Sequence, residues 1–92
     1  MSQVKIPAVL RANVGGAKEL EVAGGTVGEI IDGLVAQFPV LREQLLTDDG
    51  ELNRFVNVYV NGQDVRYLSG AETPVAERDE VRLLPAMAGG AR

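Results

Sequence analysis

Apolar residues recur along this chain with two periods, and the changes of period divide it into elements. Val4, Ile6, Ala8 and Leu10 alternate with Lys5, Pro7, Val9 and Arg11, which predicts a strand with one buried face. Pro7 has no backbone N–H, so a local irregularity is expected there. Asn13-Val14-Gly15-Gly16 is a turn signal. Lys18 to Val22 alternates again, with Leu20 and Val22 inward and Glu19 and Glu21 outward. These two runs predict a β-hairpin, broken by Ala23-Gly24-Gly25.

The period then becomes helical. Thr26 and Glu29 form a T-x-x-E capping box, in which each side chain satisfies an unpaired N–H of the first turn. Val27, Ile30, Ile31, Leu34, Val35 and Phe38 make one apolar stripe, and Pro39 ends it by restricting Phe38. Val40 to Leu46 predicts a short second helical turn, with Leu41 and Leu45 packing back. Thr47-Asp48-Asp49-Gly50 is a turn. Phe55 to Val60 is the strongest strand signal, with Val56, Val58 and Val60 inward. Asn61-Gly62 is a primed two-residue turn, so Gln63 to Tyr67 is expected to be a short partner strand. Ser69 to Arg78 is irregular. Glu80 to Leu84 is the last strand, with Val81 and Leu83 inward. One amphipathic helix on one face of one mixed sheet is an α+β layer arrangement, and this element order is a β-grasp. We expect a β-grasp domain over 1–85 and a flexible C-terminal tail over 86–92.

The chain has 92 residues and a hydrophobic fraction of 46%, which suits one domain with a modest core. It contains neither cysteine nor histidine, so thiol nucleophiles, imidazole bases and the usual zinc ligands are excluded. No apolar segment follows Met1 that resembles a leader or a membrane span, and a cytoplasmic location is expected. Net charge is −4, from 13 acidic and 9 basic residues. Nucleic acid is a poor partner for such a chain, and a partner with a basic docking surface is expected instead.

Few motifs suggest chemistry. Gly15-Gly16 and Gly24-Gly25 sit between elements as turns, and neither fits a phosphate loop or a dinucleotide fingerprint, so the chain is not expected to bind ATP itself. Asp48-Asp49-Gly50-Glu51 lacks the ligand spacing of a calcium loop. Glu19/Glu21 and Asp79/Glu80 read as solvated charge. Gly89-Gly90 differs, because it lies outside any element near the terminus. From Leu84 the chain to Gly90 can reach about 20 Å when extended. Glycine makes the backbone there thin enough to enter a partner's cleft. The sheet face away from the helix is expected to show Val9, Phe55, Tyr59 and Leu84, flanked by Arg11, Asn57 and Arg82. An apolar patch with a polar rim suits docking. Partner docking is assigned to Phe55, Tyr59 and Leu84 with Pro85 and Met87.

Three segments carry a resemblance: Arg54 to Asn61, Asp64-Val65-Arg66, and Leu84-Pro85-Ala86-Met87-Ala88-Gly89-Gly90. Over residues 3–90 the chain resembles the ubiquitin-like sulfur-carrier family of the molybdopterin-synthase small subunit (MoaD) and the thiazole-forming carrier (ThiS). Within that family it is most similar to the actinobacterial cysteine-biosynthesis carriers of the CysO type. The resemblance implies a protein that is not an enzyme but a co-substrate. An E1-like adenylyltransferase/sulfurtransferase of the MoeB/ThiF type, using ATP and magnesium, would adenylate the Gly90 carboxylate. Sulfide or a persulfide would then displace AMP to leave a thiocarboxylate for a sulfur-accepting synthase, in cysteine or specialised-metabolite biosynthesis. The family's active form ends at Gly-Gly, whereas this chain continues with Ala91-Arg92. The implied step is removal of those two residues by a JAMM-type metalloprotease. Two other readings stay open: a ubiquitin-like modifier joined to lysines through Gly90, and an interaction module with an idle tail.

Overall fold

A computed structural model describes residues 2–53 and 56–85. The expectations placed on Phe55, Met87, Gly89, Gly90, Ala91 and Arg92, and the boundary of a tail over 86–92, lie outside the described residues.

The largest helix forms where the pattern and the cap agree. Helix α2 spans Val27–Gln37, and Thr26 is its extended N-cap. The Glu29 N–H donates to Thr26 Oγ1 at 3.2 Å. Glu29 Oε1 reaches back to accept from the N–H of Gly25, one residue before the cap, at 2.7 Å. Val27, Ile30, Ile31, Leu34 and Val35 are all buried, and Phe38 packs partly buried against them at the C-cap. Pro39 ends the helix and opens a 3-10 turn over Pro39–Leu41, followed by the short helix α3 at Arg42–Leu45. Leu41 and Leu45 are fully buried, as their spacing predicts.

Five strands make one mixed sheet: β1 (Ser2–Lys5), β2 (Glu19–Val22), β3 (Val56–Val60), β4 (Gln63–Asp64) and β5 (Glu80–Pro85). Their order is β2-β1-β5-β3-β4. The central pair β1 and β5 is parallel, and every other pair is antiparallel. That is the β-grasp order. Val4, Val22, Val56, Val58, Val60, Val81 and Leu83 turn inward to meet α2. Side chains on a strand alternate, so the intervening residues face away from the helix.

Three expectations are corrected. The first strand stops at Lys5. Residues 8–11 form a helical turn, α1 (Ala8–Arg11), with Pro7 as its N-cap, and a 3-10 turn follows at Ala12–Val14. The buried residues here are Ile6, Leu10 and Val14, each four apart. Every second position had looked inward because every fourth one is. Pro7 removes a donor the ladder needed and supplies a φ of −68°, compatible with entry into a helix. The second correction is the predicted strand over Gln63 to Tyr67. It lasts only through Asp64, whose carboxylate accepts from the Arg66 N–H at 2.8 Å and starts a 3-10 turn over Val65–Tyr67. Such an Asx turn competes with the ladder. Third, Val9 and Arg11 do not lie on the sheet. Val9 is 60% exposed on α1, and Arg11 Nε donates to the Ile6 carbonyl at 3.1 Å.

The Asn61-Gly62 turn forms as predicted. Asn61 has φ 51° and Gly62 φ 86°, the left-handed pair that a type I′ turn demands. Beyond it, the segment of 69–78 is not idle. It makes a 3-10 turn at Gly70–Glu72 and lays Thr73 and Val75 against the start of α2. The Val27 N–H donates to the Thr73 carbonyl at 3.0 Å, and the Val75 N–H to that of Gly25 at 2.9 Å.

Candidate docking face beside the C-terminal tail

Strand register sets the outer face of the sheet row by row. Glu19 lies opposite Lys5, Lys5 opposite Arg82, Arg82 opposite Tyr59, and Tyr59 opposite Asp64. One transverse row thus crosses all five strands, with Tyr59 half-buried as its aromatic member. The next row toward the end of β5 pairs Leu84 with Asn57. Leu84 is 40% exposed while its neighbour Leu83 is fully buried, so one leucine serves the surface and the other the core. The final rung joins Pro85 to Val56. Proline keeps a carbonyl acceptor but has no N–H to donate.

The ions on this face are solvated. Lys5 Nζ meets Glu19 Oε2 at 3.0 Å, and Arg82 Nη2 meets Glu80 Oε2 at 3.3 Å, all four side chains being at least one-third exposed. Such pairs contribute about 0–1 kcal/mol each. Their role is to fix where charge stands. Of the expected docking residues, the structure brings Tyr59, Leu84 and the backbone of Pro85 onto two adjacent strands, flanked by Asn57 and Arg82. Val9 is not among them. Sequence reading missed Lys5 and Lys18, since Lys5 counted only as an outward strand position and Lys18 as the start of a strand.

No group of three or more His, Cys, Asp or Glu side chains among the described residues could hold a metal ion. Among the described residues no helix is long and apolar enough to cross a membrane. The Asp79/Glu80 pair is a structural clasp. Asp79 Oδ2 accepts from the Ala76 N–H at 2.8 Å, and its Oδ1 accepts from Asn61 Nδ2 at 3.0 Å. The Glu80 N–H donates to Asn61 Oδ1 at 3.0 Å. The Ala76 N–H first, then the Asn61 amide, hold the Asp79 carboxyl below its ordinary value of 3.8. That carboxylate serves as an acceptor within its loop.

Comparison with known proteins matches the family profile described as ThiS family to residues 4–90. The chain belongs to the ThiS family. This ThiS-family chain is 44% identical over 89 residues to the sulfur carrier protein CysO of Mycobacterium tuberculosis (strain ATCC 25618 / H37Rv), covering 95% of this chain and 96% of that one. It is 34% identical over 82 residues to small archaeal modifier protein 1 of Haloferax volcanii, covering 86% and 90%. Among solved structures it superposes with a TM-score of 0.88 on a chain of the Amycolatopsis orientalis BexX/CysO complex. The two are 42% identical, over 98% of this chain and 100% of that one. The sheet order and the single main helix are therefore those of a ubiquitin-like β-grasp, and the chain is a homologue of the CysO sulfur carriers.

Proposed function

We propose that this chain is a sulfur carrier whose working group is the carboxylate of Gly90. The observation that carries the proposal is the family match, which ends on Gly90 and leaves Ala91-Arg92 beyond it. The chemistry agrees. A carboxylate is a poor electrophile, and activation with ATP gives an acyl-adenylate and pyrophosphate. Sulfide then attacks the acyl carbon, AMP leaves, and the product is a thiocarboxylate. The chain has no cysteine on which to carry sulfur, so the acyl end is the group available.

The remaining steps belong to partners. A JAMM-type metalloprotease removes Ala91-Arg92, an E1-like enzyme adenylates Gly90 and delivers sulfur, and a synthase accepts it. Docking uses Phe55, Tyr59, Leu84, Pro85 and Met87. The occurrence of CysO with a second protein, BexX, in one solved complex supports a carrier that works in complex. The test is incubation of the chain ending at Gly90 with an E1-like enzyme, ATP and sulfide. Exchange of one oxygen for sulfur adds about 16 Da to the intact mass, the new atom coming from the partner's reaction. No mass gain in the form ending at Gly90 would overturn the proposal.

The 34% identity to an archaeal modifier protein favours one second reading. There the activated Gly90 is captured by a lysine amine instead of sulfide. Cell blots against the chain would then show a ladder of conjugates, whereas a carrier shows free chain.

A further inference from the structure

An open groove of about 420 Å³ runs between the end of β1, the α1 turn and strand β5. Lys5, Arg11, Lys18 and Arg82 line it with Glu19 as the single carboxylate, and Leu84 lies at its side. The four cations come from β1, α1, the loop before β2, and β5. The Arg11 head is tied down by its bond to the Ile6 carbonyl. Lys5 is shared with Glu19 and Arg82 with Glu80, and Lys18 is exposed with no ion pair among the described residues. With Glu19 and Glu80 counted beside their partners, the groove carries a formal +2 in a chain of net −4, which leaves −6 for the rest of the molecule. This reverses, at the place where β5 ends, the expectation drawn from net charge.

We infer that this groove docks an acidic, leucine-rich surface segment of a protein partner. The inference deepens the carrier reading, since it names the chemistry of the surface that receives the chain. Charge complementarity steers encounter and fixes orientation, and the local field of four cations outlasts the repulsive remainder at distances within a Debye length, about 8 Å at physiological salt. A polyphosphate or nucleic acid fits less well. Its long anionic backbone would be repelled by the net negative charge of the rest of the molecule, and it offers nothing apolar to Leu84, which is 40% exposed.

The test is an NMR titration of the full 92-residue chain with a synthetic peptide of alternating glutamate and leucine. A lysine–leucine peptide, a DNA oligonucleotide and pyrophosphate are run in parallel. The expected result is shifts concentrated at Lys5, Arg11, Lys18, Arg82 and Leu84 with the acidic peptide. Affinity should fall about tenfold between low and high salt, and about tenfold again in Lys18→Glu. Arg42→Glu, on the exposed side of α3, makes the same change in net charge and should alter affinity less than about twofold. Equal weakening by Arg42→Glu, or binding of DNA or pyrophosphate without the acidic peptide, overturns the inference. The carrier reading fails separately. If Lys18→Glu ending at Gly90 gains sulfur from the E1-like enzyme at the unaltered rate, the groove inference falls and the carrier stands. If the unsubstituted chain gains no sulfur while the acidic peptide maps to the groove, the reverse holds.

Discussion

Val56 and Pro85 form the last rung of the β3–β5 ladder. The chain beyond Pro85 therefore begins at the end of the central strand, β5, which pairs with β1 as far as Arg82 and with β3 through Pro85. Leu84, one residue earlier, faces out opposite Asn57, and Leu83 faces into the core.

That alternation separates docking from stability. If Leu84 docks as proposed, Leu84→Asp should lower the rate of thiocarboxylate formation by about tenfold or more, because fully burying a leucine side chain contributes about 1.5–3 kcal/mol. Its melting temperature should change by little. Leu83→Asp places a charge where the native residue is fully buried, and should leave the chain unfolded by circular dichroism. Equal thermal loss in both would contradict the assignment of faces.

The α2 cap gives a second expectation. Thr26→Ala removes the acceptor of the Glu29 N–H and should cost about 1 kcal/mol. For a domain of this size that lowers the melting temperature by roughly 4–8 °C. Calorimetry decides it.

The core end of the same helix gives a third. Leu34 is fully buried, so Leu34→Ala should destabilise by about 2–5 kcal/mol through lost transfer energy and a residual cavity. Urea unfolding would show a lower midpoint with an unchanged slope.

Approach of backbone to backbone gives a fourth. A Cβ added at Gly24 would stand 2.9 Å from the Ile30 backbone nitrogen, an atom fixed within the first turns of α2. Gly24→Ala should destabilise by about 1–3 kcal/mol, measured in the same urea series.

Acid sensitivity gives a fifth. The Asp79 carboxyl is held below its ordinary value of 3.8, by the Ala76 N–H and then the Asn61 amide. A lowered value means that the ionised form favours the fold. The contribution is present above about pH 4 and is lost as pH falls through the lowered value. Asp79→Asn should therefore be less stable than the parent at neutral pH, and the gap should narrow below pH 4 in parallel melts. A gap that widens on acidification would contradict the clasp.

Much of this was legible because the relevant forces are local. The T-x-x-E box needs only four consecutive residues, and the Asn61-Gly62 turn needs only two that tolerate positive φ. The stripe from Val27 to Val35 is buried throughout. The segment from Ala8 to Leu10 misled because its alternate apolar positions contain a helical spacing, and only burial of Ile6, Leu10 and Val14 together chooses between the two. Gln63 to Tyr67 misled because one Asx hydrogen bond ended the ladder after two residues. The outer face was half legible. Parity placed Tyr59 and Leu84 correctly, since the period of a strand is fixed, but it brought Val9 along on a strand that is not there.

By itself the sequence determined the elements whose stabilising contacts lie within a few residues, and also that the chain offers no thiol and no imidazole. The tertiary structure alone decided that Lys5, Arg11, Lys18 and Arg82 share one groove beside Leu84. Arg82 is far along the chain from the other three, and a parallel β1–β5 pairing with a helical corner at Pro7 brings them together. Electrostatic character depends on distance in space, and composition averages over it.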